Sequence, residues 1–207
     1  MNNNFEIKNF LQRKTDILSK KDKSSIGKWD EKIESLCNQI NSLENYYTTS
    51  SCSGRIIIMK DKEKKSPGLF EFVSHNLLDF ERLKKEIKKI KSDSKFKQKK
   101  DNSFIEQNLN FKFKSEPPIL HVACKTLEDA EKILKKVQLA GWKRSGIISL
   151  GKNIIVELLS TEKLEFPLIK NKKLLVNDEF LEIVLKKANK NLRTGWLKIK
   201  KLENSLK

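Results

Sequence analysis

The sequence predicts an α/β protein of the α+β type, a single domain in which a mixed, largely antiparallel, curved sheet is flanked by helices. Three observations predict it. Apolar residues recur at helical spacing in five separate stretches, and short β-rich runs bounded by Gly, Pro, Ser or Asn fill the intervals. The chain of 207 residues is long enough to bury one sizeable core. The glycines at 27, 54, 68, 141, 146, 151 and 195 form neither a Gly-x-Gly-x-x-Gly nor a Walker-type loop, which removes the fingerprints of a doubly wound nucleotide-binding sheet.

Ile7, Phe10, Leu11, Ile17 and Leu18 place a helix over Phe5 to Lys20, and Ile33, Leu36, Cys37 and Ile40 place a second over Asp30 to Glu44, with Asp30 as its cap. Tyr46 to Ser50 and Gly54 to Met59 read as strands, with a charged turn from Lys60 to Gly68 and a returning strand from Leu69 to Val73. Phe80, Leu83, Ile87 and Ile90 mark a helix from Asp79 to Lys91. Beyond it, Ser92 to Ser103 reads as weakly structured, and a basic mobile segment is expected near 91–103. Asn110 to Lys114 and Ile119 to Cys124 are strands on either side of Pro117-Pro118. Thr126-Leu-Glu-Asp129 has a capping-box layout for a helix that Gly141 stops. Ile147 to Leu150 and Ile154 to Leu159 form a hairpin, Leu164 to Ile169 and Leu174 to Val176 are shorter strands, and a helix closes the chain from Asp178 to about Lys201.

Forty-four basic against 27 acidic residues leave a formal charge of +17, which favours a polyanion, nucleic acid before an anionic membrane. Residues 84–100 hold nine lysines and two acids, and Lys186 to Lys201 holds seven basic residues and no acid. Such runs serve as solvated faces or as phosphate-contacting arms, and Trp196 either stacks on RNA or packs inside. No apolar stretch approaches the roughly 18 residues that span a bilayer, and the N-terminus lacks a signal layout, so a cytoplasmic protein without a membrane partner is expected. Cys37, Cys52 and Cys124 with His75 and His121 make no disulfide framework and no zinc spacing, so metal chemistry is not expected.

Two constellations stand out. Thr48-Thr-Ser-Ser-Cys-Ser-Gly-Arg55 runs into the apolar strand Ile56 to Met59, and Arg144-Ser145-Gly146 runs into another. Glycine permits close backbone approach and arginine offers a planar fork for a carboxylate or phosphate, so each reads as a ligand-gripping turn; the alternative is a hairpin end whose hydroxyls satisfy local backbone. If the strands that they enter are neighbours, both face one pocket. His121 alternates with Ile119 and Ala123; a hydrogen-bonded core histidine is the simpler reading and a pocket group the other. His75 is a helix-start residue or a second polar pocket group.

Asp22-Lys23-Ser24, Tyr46 to Ile56, Ser74-His75, Glu116-Pro117 with Ile119-Leu-His-Val122, and Gly141-Trp-Lys-Arg-Ser-Gly-Ile147 resemble, in order, the signatures of the tRNA wybutosine-synthesizing protein 3 family. The C-terminal helix continues the likeness at Ala188-Asn189 and Leu192 to Leu197. One stretch departs from the family pattern: Ser25-Ile26 stand where Pro-Lys commonly follows the serine. The resemblance implies a fold that is not a Rossmann methyltransferase. It further implies an enzyme dependent on S-adenosyl-L-methionine that methylates N4 of 7-aminocarboxypropyl-demethylwyosine in tRNA-Phe, reaching the base in the anticodon stem-loop. On that implication Ser51, Ser53, Gly54, Arg55, His121, Arg144, Ser145 and Gly146 build the cofactor pocket, with Asp22 or His121 as proton acceptor and Arg55 as a catalytic cation. Lys23, Ser24, His75, Arg193, Trp196 and Lys198 would meet the RNA. The competing readings are a non-catalytic RNA-binding module, in which the same turns clamp phosphates, and a scaffold that presents tRNA to other enzymes.

Overall fold

The computed structural model describes residues 3–20, 30–61, 68–92, 97–100, 103–106, 110–151 and 153–206. In chain order the elements are α1 (Asn3–Leu18), α2 (Glu31–Ser42), β1 (Tyr46–Cys52), β2 (Arg55–Lys60), β3 (Phe70–Ser74), α3 (Phe80–Ser92), β4 (Lys97–Lys100), β5 (Ser103–Glu106), β6 (Phe111–Glu116), β7 (Ile119–Cys124), α4 (Leu127–Leu139), β8 (Gly146–Leu150), β9 (Ile154–Leu159), β10 (Leu164–Lys170), β11 (Lys173–Leu174) and α5 (Asp178–Ser205). The α+β class holds, and every strand ladder among the described residues is antiparallel. The strands divide into a four-stranded sheet, β1-β7-β9-β8, a five-stranded sheet, β11-β10-β6-β2-β3, and the pair β4-β5. No helix of the described residues is long and apolar enough to cross a membrane.

Residues group into two compact units, the first comprising 1–54, 117–161 and 194–207 and the second 55–116 and 162–193. In the first unit α2, α4 and the end of α5 cover one face of the four-stranded sheet. Ile33, Leu36, Ile40, Leu120, Val122, Ile133, Val137, Trp142, Val156, Leu158 and Leu202 interlock there with almost no exposure. Their spacing explains the elements: three- and four-residue steps on the helices meet two-residue steps on β7 and β9. Asp30 caps α2 through the Lys32 amide, as its sequence position predicts. Thr126 caps α4, its Oγ1 accepting from the Asp129 amide at 3.1 Å, and Gly141 at φ +95° ends that helix.

On the opposite face of this sheet α1 covers only one end. Phe10 packs on Tyr47 at 5.2 Å between ring centres and on Ala123, with Ile17 and Ile155 alongside. In the second unit Phe113 stacks on Phe166 and Phe166 meets the edge of Phe180, which lays α5 on the five-stranded sheet. Arg82 stands over Phe72 on that same face and brings α3 beside it. The other face carries charge in a line: Arg55 with Glu116, Lys114 with Glu116 and Glu165, and Lys112 with Glu165 and Asp61.

Most elements fall where periodicity places them, and three do not. β1 runs on to Cys52, so most of the polar stretch expected as a turn is strand. The strand expected at Leu174 to Val176 is the two-residue β11, and α5 continues to Ser205. The lysine-rich stretch after α3 also holds a two-stranded ladder, Lys97↔Glu106 to Lys100↔Ser103, which composition alone did not suggest.

Two buried cysteines make the fold sensitive to alkali. Burial pushes the Cys37 thiol up to about 12, against a weaker opposing hydrogen bond from Ser51, and burial with the nearby Asp129 carboxylate does the same for Cys124. Because the folded pKa lies above the unfolded one, this stability is intact below the ordinary thiol pKa and is lost as pH rises towards the folded value. The unfolding free energy from urea titrations at about pH 8 to about pH 10 should therefore fall, by on the order of 1 kcal/mol per pH unit for each thiol above its unfolded pKa. Cys37→Ala and Cys124→Ala should each flatten the slope; an unchanged slope in both would refute the assignment.

Candidate functional site

The stretch Thr48 to Arg55 folds as an edge strand followed by a tight turn. Its two-residue alternation is broken once: Thr48 pairs with Val122, but Ser50, not Thr49, pairs with His121. This bulge puts Ser50 on the sheet face that α1 leaves partly uncovered and turns Ser51 to the helix-covered face, where its hydroxyl bonds the Cys37 thiol. Ser53 is fully buried, and its amide donates to Asp30 Oδ2 at 2.8 Å, so one aspartate both caps α2 and ties the turn. Ser53 Oγ has no partner among the described residues. Gly54 stands at φ +96°, a conformation that a side chain would strain.

Across the sheet one row reads Ser50, His121, Glu157 and Gly146, one residue from each of β1, β7, β9 and β8. Ser50 Oγ lies 3.0 Å from His121 Nδ1, and His121 Nε2 lies 2.9 Å from Glu157 Oε2. A carboxylate only accepts, so it holds the proton on Nε2 and leaves Nδ1 as the acceptor facing the Ser50 hydroxyl. The side chains of His121 and Glu157 remain 28% and 27% exposed, so the relay is reachable from solvent. A Cβ built at Gly146 would meet nothing within 4 Å, so packing does not demand glycine there.

The second constellation lies at the same end of this sheet. The Arg144 amide donates to the Leu159 carbonyl, and Ser145 Oγ donates to the Trp142 carbonyl and accepts from the Leu159 amide. Ser145 is thus a turn-builder. The Arg144 side chain is exposed and has no carboxylate partner among the described residues. The strands that the two constellations enter are not neighbours: β2 belongs to the five-stranded sheet and β8 to the four-stranded one, where it lies at the edge opposite β1.

Arg55 belongs to the second unit, where its Nε donates to Glu116 Oε2 at 2.6 Å and its guanidinium lies 4.9 Å from the centre of the Phe70 ring. It starts the charge line described above. His75, half-buried, follows β3 in that unit, and Arg193 is exposed on α5. Trp196 packs against the core of the first unit, with Lys32 Nζ 4.8 Å from its ring centre. Lys198 reaches Ser160 at 3.1 Å and Thr161 at 3.4 Å. Both of these residues are therefore internal braces of the first unit. Asp22, Lys23 and Ser24 lie outside the described residues. Glu157, which sequence reading missed, sits in a strand whose alternation marks it only as one polar position among apolar neighbours.

A hydroxyl–imidazole–carboxylate chain beside an open glycine can hold a ligand and accept a proton, but it does not name a reaction. Comparison with known proteins does. The family described as Methyltransferase TYW3 matches residues 12–207. The chain belongs to that family. A TYW3 relative from Thermococcus sibiricus, the tRNA(Phe) 7-((3-amino-3-carboxypropyl)-4-demethylwyosine(37)-N(4))-methyltransferase, is 38% identical over 96% of this chain and 95% of its own length. The tRNA wybutosine-synthesizing protein 3 homolog of Xenopus laevis is 35% identical over 94% of this chain and 70% of its own. The solved structure of the PH1069 protein from Pyrococcus horikoshii superposes with a TM-score of 0.78 at 32% identity, covering 97% of each chain. As a TYW3 member the chain is a methyltransferase, and its α+β architecture is the family's.

Proposed function

We propose that the chain methylates N4 of 7-aminocarboxypropyl-demethylwyosine next to the anticodon of tRNA-Phe in the cytoplasm, with S-adenosylmethionine as donor. The observation that carries this reading is the row Ser50–His121–Glu157–Gly146 in a chain of this methyltransferase family. Several relatives that bear the name of this reaction align over most of their length.

The residues suit the donor in chemistry. Arg144 offers an uncommitted guanidinium to its carboxylate, and the unfilled space at Gly146 lets a flat or bulky group approach the sheet. Bound there, the donor supplies an electrophilic methyl group on a sulfonium. Methylation of a ring N–H also needs somewhere for the proton to go. Ser50 Oγ passes it to His121 Nδ1, while Glu157 keeps Nε2 protonated and the ring in plane. Orientation of the exposed base supplies the remainder of the rate.

The test is direct. Purified protein, S-adenosylmethionine and precursor tRNA-Phe should yield the N4-methylated nucleoside by mass spectrometry without any other protein. Tight RNA binding with no product and no saturable donor binding by calorimetry would replace this reading with the RNA-binding module.

A further inference from the structure

The second unit has an outer layer of cations that the proton relay does not use, and we infer that it is the docking face for the duplex stem of the RNA substrate. The inference rests on the tRNA reading above. α3 and α5 run antiparallel on one face of the five-stranded sheet: the Leu78 backbone bonds the Asn189 amide, and Lys84 reaches Asp178 at the start of α5. Their apolar stripes, Leu83, Ile87 and Ile90 on α3 and Leu181, Val184, Leu185 and Ala188 on α5, are buried. Opposite those stripes, Lys85, Lys88, Lys89 and Lys91 on α3 and Lys187, Lys190 and Arg193 on α5 are exposed and have no carboxylate partner among the described residues. Lys186 has only a long, exposed contact with Glu182, at 4.0 Å.

Lys186, Lys190 and Arg193 stand four and three residues apart, so they line one side of α5 at steps of roughly 4.5 to 6 Å along the axis. The occupant follows from what this layer contains and lacks. A helix that lies on a membrane inserts a continuous apolar side, and here the apolar stripes are spent on the sheet, while Ile183 stands alone among the outer cations of α5. A single-stranded RNA platform needs aromatic rings for the bases, and neither 84–92 nor 186–193 contains one. Charge without stacking groups suits the phosphates of an A-form stem, which proteins recognise by shape and backbone contact. This assigns Arg193 to RNA and withdraws Trp196 and Lys198, which brace the first unit, from direct contact.

The experiment uses the full-length protein and an unmodified tRNA-Phe transcript, with no methyl donor. Binding is measured from about 50 to 200 mM salt for the wild type, for Lys88→Gln/Lys187→Gln/Lys190→Gln/Arg193→Gln, and for a charge-matched control, Lys132→Gln/Lys135→Gln/Lys136→Gln/Lys143→Gln. The first variant should lower the slope of log K against log salt by about 4 and weaken binding at every salt concentration, while the control keeps a slope near the wild type's. Should the quadruple variant not fold by circular dichroism, the pairs Lys88→Gln/Lys190→Gln and Lys187→Gln/Arg193→Gln should each lower it by about 2. An unchanged slope, an equal loss in the control, or binding to phosphatidylserine vesicles tighter than to tRNA would overturn the assignment. A face-dependent slope in a protein that does not methylate precursor tRNA would refute the proposed reaction and leave the docking face standing.

Discussion

His121→Ala should lower kcat for tRNA methylation by roughly 10²- to 10⁴-fold with little change in KM, the range expected when a positioned acid–base group is removed. The side chain is partly exposed and the buried core lies on the other face of β7, so the variant should stay folded. Glu157 acts only through the ring, and its variants separate position from charge. Glu157→Gln keeps an acceptor for Nε2–H but loses the charge and should fall between wild type and His121→Ala. Glu157→Leu removes the acceptor and should fall nearly as far as His121→Ala. Single-turnover rates at saturating donor, with thermal melts alongside, decide it. A folded His121→Ala protein with wild-type turnover would sink the assignment of the proton acceptor.

Gly195→Ala is expected to destabilise the protein, although an alanine inside a helix ordinarily stabilises it by up to about 1 kcal/mol relative to glycine. The reason is contact. A Cβ at 195 would stand 2.6 Å from Pro118 Cγ and 2.7 Å from Cδ, inside any real contact distance. Pro118 is rigid and its carbonyl accepts from the Ser160 amide, so it yields little. Overpacking of this kind costs about 1–3 kcal/mol, which for a chain of this size lowers the melting temperature by several degrees. Pro118→Ala removes the two clashing carbons, so the double variant should recover much of the loss. Additive losses in that cycle would show that the clash is not the cause.

That pair also marks what was legible in the chain. Pro117-Pro118 reads as a break before a strand and Gly195 as an interruption in a basic helix; neither letter announces that they touch, because their proximity is a tertiary fact. Local signals transferred well: Asp30 and Thr126 cap the helices that they precede, Gly141 ends one, and Ile119–Cys124 and Ile154–Leu159 begin and end where alternation and turn residues place them. The site was legible in part. His121 and the two Ser/Gly/Arg stretches were visible as residue types out of keeping with their apolar surroundings. Glu157 was not, since a single carboxylate in a strand has no pattern of its own until register sets it beside an imidazole. Arg55 reads in the sequence as a ligand-seeking cation, and its pairing with Glu116, 61 residues away, is set by strand register.

The bulge at Thr49 has an evolutionary consequence. Among the described residues β1 pairs on one side only, so an extra residue there disturbs no second ladder. Four consecutive hydroxyl residues, Thr48 to Ser51, occupy the strand, and parity alone selects the one that meets the imidazole. A lineage that gains or loses one residue in this stretch can exchange serine for threonine at the proton-relay position while the rest of the sheet stays in register. The hydroxyl that faces the imidazole in this fold can therefore change by insertion or deletion at an edge as well as by substitution.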